Sequence, residues 1–145
     1  MKFSKKSRYG VTALIDLAVN SKNGHVALGS IAERNEISPQ YLEQVFASLR
    51  RAGIVKSVKG SQGGYLLKYP SSSITVASII QALEGTYYLD DEETKTEESA
   101  AGIAETIQED IVDRVNHGLD QILQNLTLAD LEESFQERQS GGQEM

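Results

Sequence analysis

The chain has 145 residues, a net charge of −7, 39% apolar residues and no cysteine, so it can form neither a disulfide nor a thiolate-ligated zinc or iron-sulfur site. Its length suits one domain with a self-sufficient core, and no apolar run approaches the roughly 18 residues needed to cross a bilayer. The basic start, Met1 to Lys6, lacks the apolar stretch of a secretory signal, so a soluble, cytoplasmic protein with no membrane partner is expected.

The average charge hides a division. Residues 1–69 carry eleven Lys/Arg against four Asp/Glu, a net of +7, whereas residues 70–145 carry three against seventeen, a net of −14. Such polarity points to a basic working face and an acidic remainder.

In chain order, Tyr9, Val11, Ala13, Leu14, Leu17 and Ala18 recur at helical spacing and predict a helix over 7–20, ended by Ser21-Lys22-Asn23-Gly24. After the short apolar Val26-Ala27-Leu28, a brief helix is predicted over 30–35 with Ser30 as its cap. A tight turn, Asn35-Glu36-Ile37, leads to a third helix with Ser38 at the N-cap, Pro39 at the first position, Leu42, Val45, Phe46 and Leu49 as its buried stripe, and Gly53 as its end. Two short helices joined in this way form a helix-turn-helix pattern.

Ile54–Lys59 and Tyr65–Tyr69 then flank Gly60-Ser61-Gln62-Gly63-Gly64, which reads as a β-hairpin, or wing, made basic by Lys56, Lys59 and Lys68. Ser71–Ser73 is a linker, and Ile74, Ala77, Ile79, Ile80 and Leu83 predict a helix that stops at Gly85. The stretch Asp90–Ser99 holds six acids and no apolar residue, so residues 86–102 are expected to form an acidic flexible loop. Ile103, Ile107, Ile111, Val115, Leu119, Ile122 and Leu126 form one apolar seam on a long helix, which calls for a partner helix and predicts a homodimer. Packing of that seam on its own chain is the competing expectation. Thr127 and Asp130 spell a capping box for a short final helix ending near 135, and residues 136–145 are expected to be a disordered tail.

These elements define a mainly α fold with a small β-hairpin: a winged helix-turn-helix domain over 1–85 and a dimerisation helix within 103–135. Double-stranded DNA is the partner such a domain fits. Ser38, Gln40, Glu43 and Gln44 lie at the start of the third helix, where Gln pairs with adenine and Glu accepts from the cytosine amino group. Tyr41 reaches a phosphate, and Lys5, Lys6, Arg8, Arg50, Arg51, Lys56 and Lys59 supply salt-sensitive affinity. Ser61 and Gly63 belong to the wing. Catalysis has little support: His25 and His117 stand far apart without triad or metal-ligand spacing, and the glycine-rich turn lacks the Gly-Lys-Ser/Thr of a phosphate loop. The alternative to a DNA-binding regulator is a winged-helix module whose main partner is another protein, such as a metabolic enzyme.

Arg8-Tyr9-Gly10, Ile31-Ala32, Ser38-Pro39-Gln40-Tyr41-Leu42-Glu43-Gln44, Gly60-Ser61-Gln62-Gly63-Gly64-Tyr65, Leu83-Glu84-Gly85 and Thr127-Leu128-Ala129-Asp130-Leu131 stand in this order. On these segments, over residues 1 to about 133, the chain resembles the Rrf2 family of bacterial winged-helix repressors. The resemblance implies that Ser38, Gln40, Tyr41, Glu43 and Gln44 read or clamp DNA, that the wing from Lys59 to Gly64 enters the minor groove, and that the long helix pairs two subunits. Cluster-binding members carry three cysteines after the Leu-Glu-Gly segment, and Thr86–Gly102 holds none. No iron-sulfur cofactor is therefore expected, and the chain is most similar to the branch that represses cysteine metabolism, in which a partner enzyme of cysteine synthesis sets DNA affinity. The acidic loop and the dimer helix are where such an enzyme, or a small-molecule effector, would bind.

Overall fold

A computed structural model describes residues 2–60, 63–89 and 101–143. Helix α1 (Lys5–Asn20) starts two residues before the expected Ser7, because Ser4 Oγ accepts the Ser7 N–H at 3.1 Å and caps the first turn. Helix α2 (Leu28–Asn35) also starts early, and Ser30 is not its cap. Val26 pairs with Tyr65 through backbone bonds of 3.0 and 2.9 Å, which keeps the chain extended up to Ala27, and the helix begins immediately afterwards.

Glu36 closes α2 in the left-handed region at φ 54°, and the Ile37 N–H reaches back to the Ala32 carbonyl at 3.0 Å while its side chain is buried. Helix α3 (Pro39–Arg51) follows after Ser38, whose Oγ accepts from the Tyr41 N–H at 3.4 Å. Strands β1 (Val55–Val58) and β2 (Gly64–Leu67) pair antiparallel, with Ser57 opposite Tyr65. Helix α4 (Val76–Glu84) is capped by Thr75 and terminated by Gly85 at φ 86°.

The main core lies where α1 and α3 meet: Ala13, Leu14 and Leu17 join Leu42, Val45, Phe46 and Leu49, with Ile31, Ile37, Ile54, Val55, Ile79, Leu83 and Leu128 around them. Tyr65 brings the hairpin in, its ring 4.7 Å from Phe46.

The seam helix is a rod of three parts: α5 (Ala101–Ile107), a π-helical segment (Gln108–Asp113) and α6 (Arg114–Leu123). In an α-helix, four residues overshoot one turn by roughly 40°, so a run of four-residue steps drifts around the surface. The wider π turns take up that drift between Ile107 and Val115. Ile103, Ile107, Ile111, Val115 and Ile122 are exposed, whereas Leu119 and Leu126 join Leu123 and Leu131 against Val76, Ala77, Ile80 and Tyr87 of the same chain. The expectation of intramolecular packing thus describes the C-terminal part of the seam. The rod's end is tied to the start of α4 by bonds of 2.8 Å, from the Val76 N–H to the Leu126 carbonyl and from the Leu128 N–H to the Ile74 carbonyl.

The expected flexible loop is anchored at its start and helical at its end. Tyr87 is buried, its hydroxyl donating to Asp120 Oδ1 at 2.5 Å, and the Tyr88 hydroxyl donates to the same carboxylate at 2.8 Å. The Leu89 N–H donates to Asn116 Oδ1 at 2.8 Å, while Ala101 and Gly102 belong to α5. The acidic stretch itself, residues 90–100, lies outside the described residues. The final helix is not short. The Thr127–Asp130 box forms as expected, with reciprocal bonds of 3.0 and 3.2 Å, but α7 (Leu128–Gln143) continues through most of the expected tail. Leu128 seats it in the main core, and Lys22 pairs at 2.9 Å with the buried Glu132. Among the described residues, no helix is long and apolar enough to cross a membrane.

Candidate nucleic-acid interface

Helix α3 buries Leu42, Val45, Phe46, Ser48 and Leu49, which turns Gln40, Glu43 and Gln44 outward together. These three occupy one face at spacings of three and four, exposed, on the first two turns after the Ser38 cap. Ser38 is exposed as well, and its hydroxyl lies 3.4 Å from Gln40 Oε1. That is the geometry of a helix whose N-terminal half can enter a groove while its other face stays in the core.

The start of α1 is brought to the same place by aromatic contacts. The Tyr9 ring meets Tyr41 edge-on at 5.6 Å, Lys5 Nζ lies 5.7 Å from the centre of the Tyr9 ring, and the Arg8 guanidinium lies 5.5 Å from that of Phe3. Tyr41 is therefore half-buried, its ring braced against Tyr9. Lys5 and Arg8 remain exposed. The ion pairs among the described residues, Arg34 with Asp16 at 2.7 Å and Lys22 with Glu132, engage none of the expected phosphate-binding cations.

On the other flank, α3 and the hairpin enclose an open groove. Glu43, Ala47 and Arg50 of α3 line it together with Ser57, Val58, Gly63, Gly64 and Tyr65 of the hairpin and Leu28 of α2. Three residues expected at the DNA surface, Glu43, Arg50 and Gly63, thus line one groove. Lys56 and Lys59 are exposed on the wing but do not line it. Ser61 lies outside the described residues. Ala47, Ser57 and Tyr65 were not expected here. Ala47 was legible in hindsight, one turn beyond Glu43 and Gln44, whereas Ser57 and Tyr65 join the groove only through hairpin register.

Gly64 has a role different from approach to another molecule. A Cβ there would lie 2.4 Å from the Val26 carbonyl oxygen, so the glycine admits the segment before α2 to the edge of the wing. His25 and His117 are exposed, and no three His, Asp or Glu side chains gather to hold a metal ion among the described residues.

A capped, outward-facing helix beside a basic hairpin is a winged helix-turn-helix of the type that transcription regulators use. The chain belongs to the Rrf2 family, described as iron-dependent transcriptional regulators, whose profile matches residues 3–134. It is 38% identical to the HTH-type transcriptional regulator IscR of Yersinia enterocolitica over 135 residues, covering 90% of this chain and 79% of that one. Among solved structures it is similar to CymR, the global cysteine regulator of B. subtilis, with a TM-score of 0.78, 36% identity and coverage of 92% of this chain and 98% of that one. IscR of T. potens matches with a TM-score of 0.73 and 40% identity, covering 96% of this chain and 91% of that one. The family's iron finds no thiolate in a chain without cysteine, so a cysteine-ligated cluster does not fit here.

Proposed function

We propose that this transcription regulator acts as a homodimeric repressor, placing α3 of each subunit in successive major grooves of a palindromic operator. The observation that carries the reading is the joint exposure of Gln40, Glu43 and Gln44 on α3, with Lys5 and Arg8 at one flank and the wing groove at the other. Gln and Glu at the start of a recognition helix read base edges, whereas the cations bind phosphates without regard to sequence. Ile103, Ile107, Ile111 and Val115, exposed along the rod, supply the self-complementary apolar surface that a two-fold interface needs. Half-site centres then stand about 34 Å apart, or a multiple of that distance.

The lack of thiolates and the likeness to a cysteine regulator support control of sulfur or cysteine metabolism. In this reading a partner enzyme or a small molecule, and no cluster, sets DNA affinity.

Selecting bound fragments from genomic DNA with the purified chain tests the proposal, because the retained sites identify both the operator and the regulated genes. On a retained fragment, Glu43→Ala relaxes preference at one base pair by about 1 to 3 kcal/mol, whereas Arg8→Ala weakens operator and random duplex alike and reduces the salt slope by about one. Equal losses on both duplexes for Glu43→Ala contradict the assignment of Glu43 to base reading.

A further inference from the structure

Two hydroxyls from the start of α1 end on one carboxylate from the end of α4. Ser7 is fully buried, and its Oγ donates to Glu84 Oε1 at 2.8 Å; the cap residue Ser4 donates to the same oxygen. Glu84 is the last residue of α4 before Gly85 turns the chain away. The adjacent turns pack closely as well: the end of the Leu83 side chain fills the space beside Gly10 that a Cβ would occupy, so a larger residue there would displace it. Just beyond, Tyr87 and Tyr88 are held by Asp120 of α6. Residues 83–88 therefore grip the first turns of α1 on one side and the rod on the other.

The first turns of α1 carry Lys5 and Arg8 on their exposed face, and Tyr9 sets them against Tyr41 of α3. A carboxylate accepting from the cap and from the first-turn serine also places negative charge where the helix dipole favours it. Without it, Ser7 keeps a buried hydroxyl short of an acceptor and the first turn is free to fray.

We propose that Glu84 is a positioning residue for DNA binding. It pins the first turn of α1 to α4, and so holds Lys5 and Arg8 in register with the duplex backbone while touching no DNA itself. The inference rests on the DNA-binding reading above.

The test is anisotropy titration of the full-length protein on an operator fragment and a random duplex over a series of salt concentrations. Glu84→Ala is expected to weaken both duplexes by about tenfold and to flatten the log–log salt slope by about one. Glu84→Gln, which keeps an oxygen acceptor, recovers most of the affinity. In a background where Lys5 and Arg8 are both replaced by Ala, Glu84→Ala adds little, because the contacts it supports are already gone. Hydrogen exchange on the free protein shows faster exchange at the first-turn amides of α1 in Glu84→Ala, with α3 unchanged.

An unchanged slope with additive losses would mean general destabilisation and overturns the proposal, as does wild-type affinity in Glu84→Ala. A wild-type chain that binds no duplex refutes the DNA-binding reading and this inference with it. Wild-type binding unaffected by Glu84→Ala refutes this inference alone.

Discussion

Gly64 and Tyr87 show how single residues set the frame. At Gly64 the obstacle to any side chain is the Val26 backbone, which is fixed on both sides by its bonds to Tyr65 and cannot rotate out of the way. Gly64→Ala is expected to cost about 1 to 3 kcal/mol, read as a lowered denaturant midpoint, with the wing displaced from α2. A midpoint equal to wild type contradicts the close approach. At Tyr87, burial first and the hydrogen bond to Asp120 second push the phenol up to about 12, while the two donated hydroxyls hold Asp120 below its usual range. The folded state keeps the Tyr87 proton more tightly than the unfolded chain, so this contribution is complete below the ordinary value of 10.0 and lost as pH rises toward about 12. The Asp120 contribution has the opposite sense, complete above the ordinary value of 3.8 and lost as pH falls through its lowered value. Thermal melts from about pH 8 to about pH 12 check the first part: the alkaline decline is expected to diminish in Tyr87→Phe, and an identical decline in that variant assigns it elsewhere.

Elements were legible in the sequence where their signals are local. The Ser38 cap with Pro39, the Thr127–Asp130 box and the Gly85 stop each act within four residues, and each forms where composition places it. Errors arose where distant chain intervened. Ser30 loses the cap of α2 because Tyr65, in the wing, fixes Val26 in an extended conformation. Ser4 gains an acceptor in Glu84, 80 positions away, which no periodicity reveals. The π-helical segment has no local signal of its own: four-residue steps match the α-helical pattern over any one turn, and only their accumulated drift calls for wider turns. Glu36 offers a test at this scale. A glutamate at φ 54° carries the cost of the left-handed region, which glycine avoids, so Glu36→Gly is expected to raise stability by about 0.5 to 1 kcal/mol with α2 and α3 unmoved. A loss of stability contradicts the Schellman-type closure.

For the whole molecule, the charge division and the seam describe two tasks. The positive portion forms α1, α3 and the wing, and the acidic remainder builds α4, the rod and α7. The seam was visible as a pattern, but its division was not: Leu119 and Leu126 close the chain's own second core, leaving Ile103, Ile107, Ile111 and Val115 exposed, the face that the proposed dimer would bury. Their separation follows from α4, which covers only the lower part of the rod. Exposed isoleucines in this number are costly on a monomer and favourable in an interface.

Sedimentation velocity of the purified chain with a labelled palindromic fragment, for wild type and Ile111→Asp in parallel, measures the central claim directly. Two subunits per duplex for wild type, and a monomer without complex for Ile111→Asp, is the predicted result. An Ile111→Asp chain that sediments as an intact dimer and still binds the fragment would contradict it.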